Sequence, residues 1–262
     1  VSDIDALSTI AKSVGIPLII DNTMATPFLC QPIQHGADIV VHSTTKFLSG
    51  HGNAMGGAIV DSGTFDWAQN DKYPSLAQPE EAYHGLNFYE SFGDLAYTTY
   101  GHAVGLRDLG PTMAPMNAYL TIMGIETLAL RMEKHVANAE VVANYLHNHE
   151  KVSWVSYAGL EESKYFHLAT KYLPKGAGSV FTFGIKGGYD AGVEFVEKCQ
   201  LLSHLANIGD TRSLVLHPAS TTHRQLTETQ RISAGAGDDV IRLSIGLETV
   251  EDIIADLAQA LR

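Results

Sequence analysis

Along residues 1–60 the hydrophobic positions switch between helical spacing and short unbroken runs. Ile4, Leu7, Ile10, Ala11 and Val14 recur every three or four residues, which predicts a helix over residues 3–13. Ser2 followed by Asp5 reads as a capping box with Val1 in the staple position, and Gly15 ends the helix. Residues 16–20 form a continuous apolar run, expected as a strand covered on both faces. Residues 27–35 carry the chain back, Gly36 stops that segment, and residues 39–42 are expected as the next buried strand. A third strand is expected over 56–60, entered through a glycine-rich loop at 50–57. Strand–helix–strand order predicts a mostly parallel sheet with helices on its faces.

Residues 61–116 show no dominant period; they hold a polar, turn-rich stretch, then an aromatic-rich one, and break at Gly110-Pro111. From 118 to 149 apolar positions return close to a 3.6 period, predicting one long helix with a kink at Gly124. The pattern then changes to strands over 152–157, 179–185 and 240–245, with helices over 189–203 and 248–261. The fold class is therefore α/β. Residues 1–150 are expected to form part of a large domain with its linking helix, and 151–262 a smaller α+β domain.

Composition narrows the partners more than the fold. At 262 residues and 28.3 kDa the chain is long enough for one large domain or two smaller ones. A formal net charge of -12 without a basic block argues against nucleic acid and acidic membranes as partners. Cys30 and Cys199 are too few and too scattered for a disulfide framework, so a cytoplasmic location is the default expectation. No run is apolar enough over a sufficient length to span a bilayer, and no basic-then-apolar leader opens the chain. An opening that enters a helix almost at once reads as the continuation of a longer sequence. The histidine pairs His147/His149 and His217/His223 lack a third ligand at a recognised spacing, so no metal site is expected.

The chemistry gathers at the ends of the first two apolar runs. Asp21 follows the run at 16–20, and Ser43, Thr44, Thr45 and Lys46 follow the run at 39–42. If those strands are neighbours about 4.8 Å apart, both ends open into one crevice, where open parallel sheets place their ligands. An amine, a carboxylate and several hydroxyls there suit pyridoxal 5'-phosphate: Lys46 as covalent anchor, Asp21 against the ring nitrogen, Ser43 and Thr45 on the phosphate. On spacing alone the plainer alternative stays open, because an Asp after a strand also serves as a helix cap and a Ser-Thr-Thr run also makes an ordinary turn.

The segment from Ile20 to Gly57, with Asp21-Asn22-Thr23, Thr26-Pro27, Gly36-Ala37-Asp38, His42-Ser43-Thr44-Thr45-Lys46 and Leu48-Ser49-Gly50-His51, resembles the Cys/Met-metabolism family of pyridoxal-phosphate enzymes. The likeness continues through His217-Pro218-Ala219-Ser220 and Ile241-Arg242-Leu243-Ser244-Ile245-Gly246. It implies a fold-type I transferase in which Lys46 carries the cofactor. On that likeness Asp21 would pair with the ring nitrogen, Thr23 would lie near the ring, and Ser43 and Thr45 would bind phosphate. The likeness likewise implies that Arg242 would clamp a substrate carboxylate with Ser213 beside it. Gly209-Asp210-Thr211-Arg212-Ser213-Leu214 departs from the cystathionine-type pattern, and the stretch from Asn207 to His223, with Arg107-Asp108-Leu109-Gly110-Pro111 and Asn117 to Glu126, looks closest to O-acetylhomoserine sulfhydrylases. That branch implies γ-replacement on O-acetyl-L-homoserine by sulfide or a small thiol. Cystathionine γ-synthase, methionine γ-lyase and a non-catalytic piece needing an N-terminal complement are the alternatives. The resemblance further implies a homo-oligomer, a dimer of dimers, and an N-terminal arm and phosphate loop preceding Val1.

Overall fold

The computed structural model describes residues 1–262. Helix α1 (Ile4–Ser13) is capped by Asp3, whose carboxylate accepts from the Ala6 amide, so the cap is one residue later than the Ser2 expected. Tyr172 explains the shift: its hydroxyl donates to Asp3 and accepts from the Asp5 amide, fixing Asp3 at the helix start. Strand β1 (Ile19–Asp21) begins three residues into the apolar run at 16–20, is shorter than it, and is not covered on both faces. It pairs on one side only, with β2 (Ile39–Ser43), and Ile19 is left 52% exposed. Between them come the short helix α2 (Thr26–Leu29) and a 3-10 turn, Pro32–His35, closed by Gly36 in the left-handed region at φ 86°.

The β1–β2 pairing is parallel, as the alternation of elements requires. Strand β3 (Gly57–Asp61) runs antiparallel to β2, which the expected mostly parallel order did not include. The physical reason is the connection. After β2 the chain makes a π-helical turn, Thr44–Leu48, and the glycine-rich loop, with no helix to cross over the sheet, so it returns alongside.

The stretch without a dominant period becomes helical turns around an aromatic core. Helices α3 (Pro74–Ala77), α4 (Phe88–Phe92) and α5 (Ala96–Tyr100) pack around Phe65, Trp67 and Phe88, with Trp67 stacked on Tyr97 at 5.2 Å. The long helix expected over 118–149 is two, α6 (Pro115–Glu126) and α7 (Leu128–His147). The break falls at Thr127 rather than Gly124. Gly124 is needed for close approach instead, since a Cβ there would lie 2.4 Å from the Ser49 carbonyl oxygen and 2.5 Å from that of Leu48. Its missing side chain lets α6 lie against the chain that follows Lys46.

The remainder is one five-stranded sheet in the order β4-β5-β8-β7-β6. Its strands are β4 (Val152–Ser156), β5 (Val180–Ile185), β6 (Ser203–His204), β7 (Leu214–Leu216) and β8 (Val240–Ser244). Helices α8 (Phe166–Tyr172), α9 (Gly188–Lys198), α10 (Glu228–Ser233) and α11 (Val250–Ala260) complete it. Helix α9 stops five residues before the expected end at 203. The Asp256 carboxylate takes the amides of Gln200, Leu201 and Leu202 and draws that stretch out of the helix. The largest core, 21 buried residues, joins this sheet to α11 and to the second half of α7. The first half of α7 packs instead through Leu128, Met132 and Val136 on Phe47 and Leu48. One helix thus packs on both the five-stranded sheet and the turn that follows β2. No helix is long and apolar enough to cross a membrane.

Candidate active site

Strand β2 delivers Lys46 through the turn that follows it. The turn is π-helical from Thr44 to Leu48, but Lys46 leaves the helical region at φ -90°, ψ -128°. Wide turns of this kind are recurrent at functional positions because they re-aim one side chain. The Lys46 amine donates to Asn207 Oδ1, in the loop before β7. The Asn207 carbonyl in turn accepts from Arg242 Nη2 at 3.3 Å. Arg242 stands on β8 between Thr182 of β5 and Leu216 of β7. Lys46 and Arg242, 196 positions apart in sequence (242 − 46), therefore meet across one asparagine.

That meeting changes the lysine. Burial first, and then the Arg242 charge, pull the Lys46 amine below the ordinary lysine value. A larger neutral fraction makes it a better nucleophile and proton acceptor near neutral pH. Burial also lowers Arg242, with no carboxylate beside it to offset the cost. A half-buried guanidinium without an acid partner suits an incoming carboxylate.

A second group forms where β1 ends. Asp21 lies opposite Val41, its Oδ1 accepts from the Thr23 amide at 3.0 Å, and the carboxylate is exposed. Thr23 Oγ1 accepts from the Ser43 amide at 2.8 Å, which ties the loop after β1 to the end of β2. Next to them His42 is lowered by burial, partly offset by the Asp21 charge. Thr45 is held differently: its hydroxyl accepts from the Gly56 amide at 3.1 Å, so the glycine-rich loop is fastened over the turn. Thr26 completes this end of the sheet. It is buried at φ 60°, rare for a β-branched residue, and Asn22 Nδ2 donates to the Thr26 and Cys30 carbonyls at 3.1 and 3.0 Å to hold it there.

Of the residues expected from sequence, Asp21, Thr23, Ser43, Thr45 and Lys46 lie along one pair of strand ends, and Arg242 reaches Lys46 from the second sheet. Ser213 does not join them. It is fully buried, its hydroxyl donates to Glu248 Oε2 at 2.8 Å and accepts from the Gly246 amide at 2.9 Å. The Glu248 carboxylate also takes its amide at 2.6 Å, so the serine is consumed in joining β7 to the chain after β8. Asn207 stands where the serine was expected. Sequence alone offered no signal for it, since an asparagine two residues before a glycine in a loop reads as turn chemistry.

The model of the Cys/Met metabolism PLP-dependent enzymes matches residues 1–262. The chain belongs to that family. It is 49% identical to an O-acetyl-L-homoserine sulfhydrylase of Leptospira meyeri over 99% of this chain and 61% of that protein. It is also 49% identical to a homocysteine synthase of Schizosaccharomyces pombe, covering 100% of this chain and 61% of that one. The fold superposes with a TM-score of 0.95 and 44% identity on a crystal structure of an O-acetylhomoserine (thiol)-lyase from Campylobacter jejuni containing N'-pyridoxyl-lysine-5'-monophosphate. That match covers 100% of this chain and 62% of the other. The chain thus spans about three-fifths of the length of these relatives.

Proposed function

We propose that this chain carries the lysine, carboxylate and arginine portion of a pyridoxal-phosphate site for γ-replacement on O-acetyl-L-homoserine. Sulfide as the incoming group gives homocysteine and acetate; methanethiol gives methionine and acetate. The observation that carries this reading is the Lys46 amine, lowered by burial and by Arg242 and held to that arginine through Asn207. The residues fit the cofactor. An amine of depressed basicity, an exposed carboxylate at the end of the adjacent strand, and hydroxyls and amides at the turn between them are the donor set it requires.

When bound, pyridoxal phosphate supplies a place for the electrons that leave Cα of the amino acid. Lys46 would anchor it and, once freed by substrate, would take the Cα proton and serve the Cβ and Cγ positions as a tethered acid and base. Asp21 would keep the ring nitrogen protonated, Thr23 would sit near the ring, and Ser43 and Thr45 would hold the phosphate. Arg242 would fix the substrate carboxylate with a two-pronged contact. We take residues 1–150 as the cofactor-holding unit and 151–262 as the carboxylate-holding unit, joined through α7. A cytosolic homo-oligomer is the expected setting.

The test is borohydride reduction of cofactor-loaded protein followed by peptide mapping. A phosphopyridoxyl mass on Lys46 is expected, and the same mass on a different lysine would overturn the assignment. Assays with sulfide, with cysteine and with no nucleophile separate the sulfhydrylase from a cystathionine γ-synthase or a γ-lyase. A second reading has its own support, the open edge of β1 and the three-fifths coverage: a piece that turns over only with an N-terminal complement. Unaided turnover by these 262 residues would exclude it.

A further inference from the structure

Helix α7 buries three polar side chains on one face. Arg131, His135 and Asn138 follow one another at i, i+4 and i+7, and each is nine-tenths or more buried. Burying an arginine, an imidazole and an amide costs free energy unless each is satisfied. None is paired with an acid. Arg131 Nε donates to Thr127 Oγ1 at 3.2 Å and His135 Nε2 is unpartnered; the other side-chain hydrogen bonds of all three go to backbone carbonyls. Arg131 Nη1 donates to the Phe47 carbonyl at 2.7 Å, and Nη2 donates to those of Leu48 and Gly124 at 3.2 and 2.7 Å. His135 Nδ1 donates to the Ile245 carbonyl at 2.6 Å. Asn138 Nδ2 donates to the carbonyls of Gly246 and Glu248, both at 2.9 Å.

Apart from that of Gly124 at the end of α6, the carbonyls fall in two places, directly after Lys46 and directly after the strand that carries Arg242. The loop has also closed over the guanidinium. Gly50 lies at φ 79°, a Cβ there would lie 2.5 Å from Arg131 Nη1, and the Gly50 carbonyl accepts from the Thr211 amide at 2.8 Å. We propose that the buried polar face of α7 is a positioning device, with Arg131 fixing the Lys46 turn and His135 and Asn138 fixing the end of β8, so that one helix sets the Lys46–Arg242 separation. Packing alone does not need these residues, since Leu128, Met132 and Val136 already bury the adjacent face. Directional hydrogen bonds to carbonyls fix register in a way apolar contacts do not.

This inference concerns the same site as the proposed γ-replacement, but its geometry stands whether or not the cofactor is anchored at Lys46. The experiment is therefore made on the full chain freed of carbonyl cofactor by dialysis. Lys46 is labelled with an amine-reactive acylating reagent across a pH series, and its modification is quantified by peptide mass spectrometry. Arg242 of β8 is the charge acting on Lys46, and Asn207 is its neutral partner. In Arg131→Lys and in Asn138→Ala the lysine should drift from Arg242 and regain water. The pH midpoint of labelling should then rise by about half a unit or more, towards an ordinary lysine. Val142→Ala, in the apolar core at the far end of α7, should lower the melting temperature and leave the midpoint where it was. Asn138→Ala carries the test alone if Arg131→Lys does not fold. Midpoints in the two stripe variants that coincide with the parent, despite a melting temperature lowered as in Val142→Ala, would overturn the proposal. Borohydride mapping fails independently of this result, so the two readings are separable.

Discussion

Asn207 is the residue on which the proposed chemistry turns, because it links the Lys46 amine to the Arg242 strand. Asn207→Ala removes the acceptor for the amine but leaves the backbone carbonyl for Arg242. A hydrogen bond to a charged group is worth about 1.5–3 kcal/mol, so kcat/KM should fall by roughly ten- to a hundredfold. The fold should be unaffected, and steady-state kinetics beside a melting curve would show it. An unchanged kcat/KM would mean the contact is idle. His135 gives the pH dependence. Burial lowers its imidazole from 6.5 to about 4, against a partial offset from the Ile245 carbonyl. A folded-state value below the unfolded one contributes stability that is complete above pH 6.5 and lost as pH falls towards 4. The loss is of the order of 3 kcal/mol over that window. His135→Asn keeps a donor for Ile245 and cannot take up a proton. It should start less stable at pH 8 and lose less on acidification; parallel pH curves for the two proteins would refute this.

At the scale of elements, what was legible in the sequence was what a repeating pattern encodes. Helices α1 and α11, and strands β2, β5 and β8, follow periodic or unbroken apolar positions and lie within a few residues of their expected places. What was hidden depends on partners distant in sequence. The end of α9 is set by Asp256, the fate of Ser213 by Glu248, and the direction of β3 by a missing crossover. The site divides in the same way: Asp21 and Lys46 announce themselves at strand ends, while Asn207 gains meaning only when two sheets meet. Gly124 shows how a local rule misleads. Helix propensity alone has Gly→Ala within α6 stabilising by about 1 kcal/mol. The added methyl, however, would lie 2.4–2.5 Å from two backbone carbonyls that cannot rotate away. Overpacking of this kind costs about 1–3 kcal/mol, so the net effect should be destabilising. Calorimetry would decide it, and a raised melting temperature in Gly124→Ala would show that α6 can move off the Lys46 turn freely.

On the scale of the whole molecule, burial is unequal between the two sheets. The five-stranded sheet shares a core of 21 buried residues, with Phe183, Ile241 and Leu243 fully enclosed, whereas Ile19 and Ile59 on β1 and β3 remain more than half exposed. Local opening costs least where few apolar contacts must break. Amide hydrogen exchange should therefore separate the two. The amides of Ile241 and Leu243 should exchange only through global unfolding, while those of β1 and β3 should exchange through cheaper local openings, at rates faster by orders of magnitude. The proposed cofactor would act at the less protected end, because anything that binds only the folded site stabilises it by mass action. Adding pyridoxal phosphate should slow exchange around residues 21–23 and 43–50 and leave β5 and β8 as they were. Protection that rises equally in both sheets would mean that the sheets open as a single cooperative unit. Equal exchange before any addition would place the cost of opening outside the apolar contacts and inside the polar face of α7, which bonds the turn after β2 and the chain after β8.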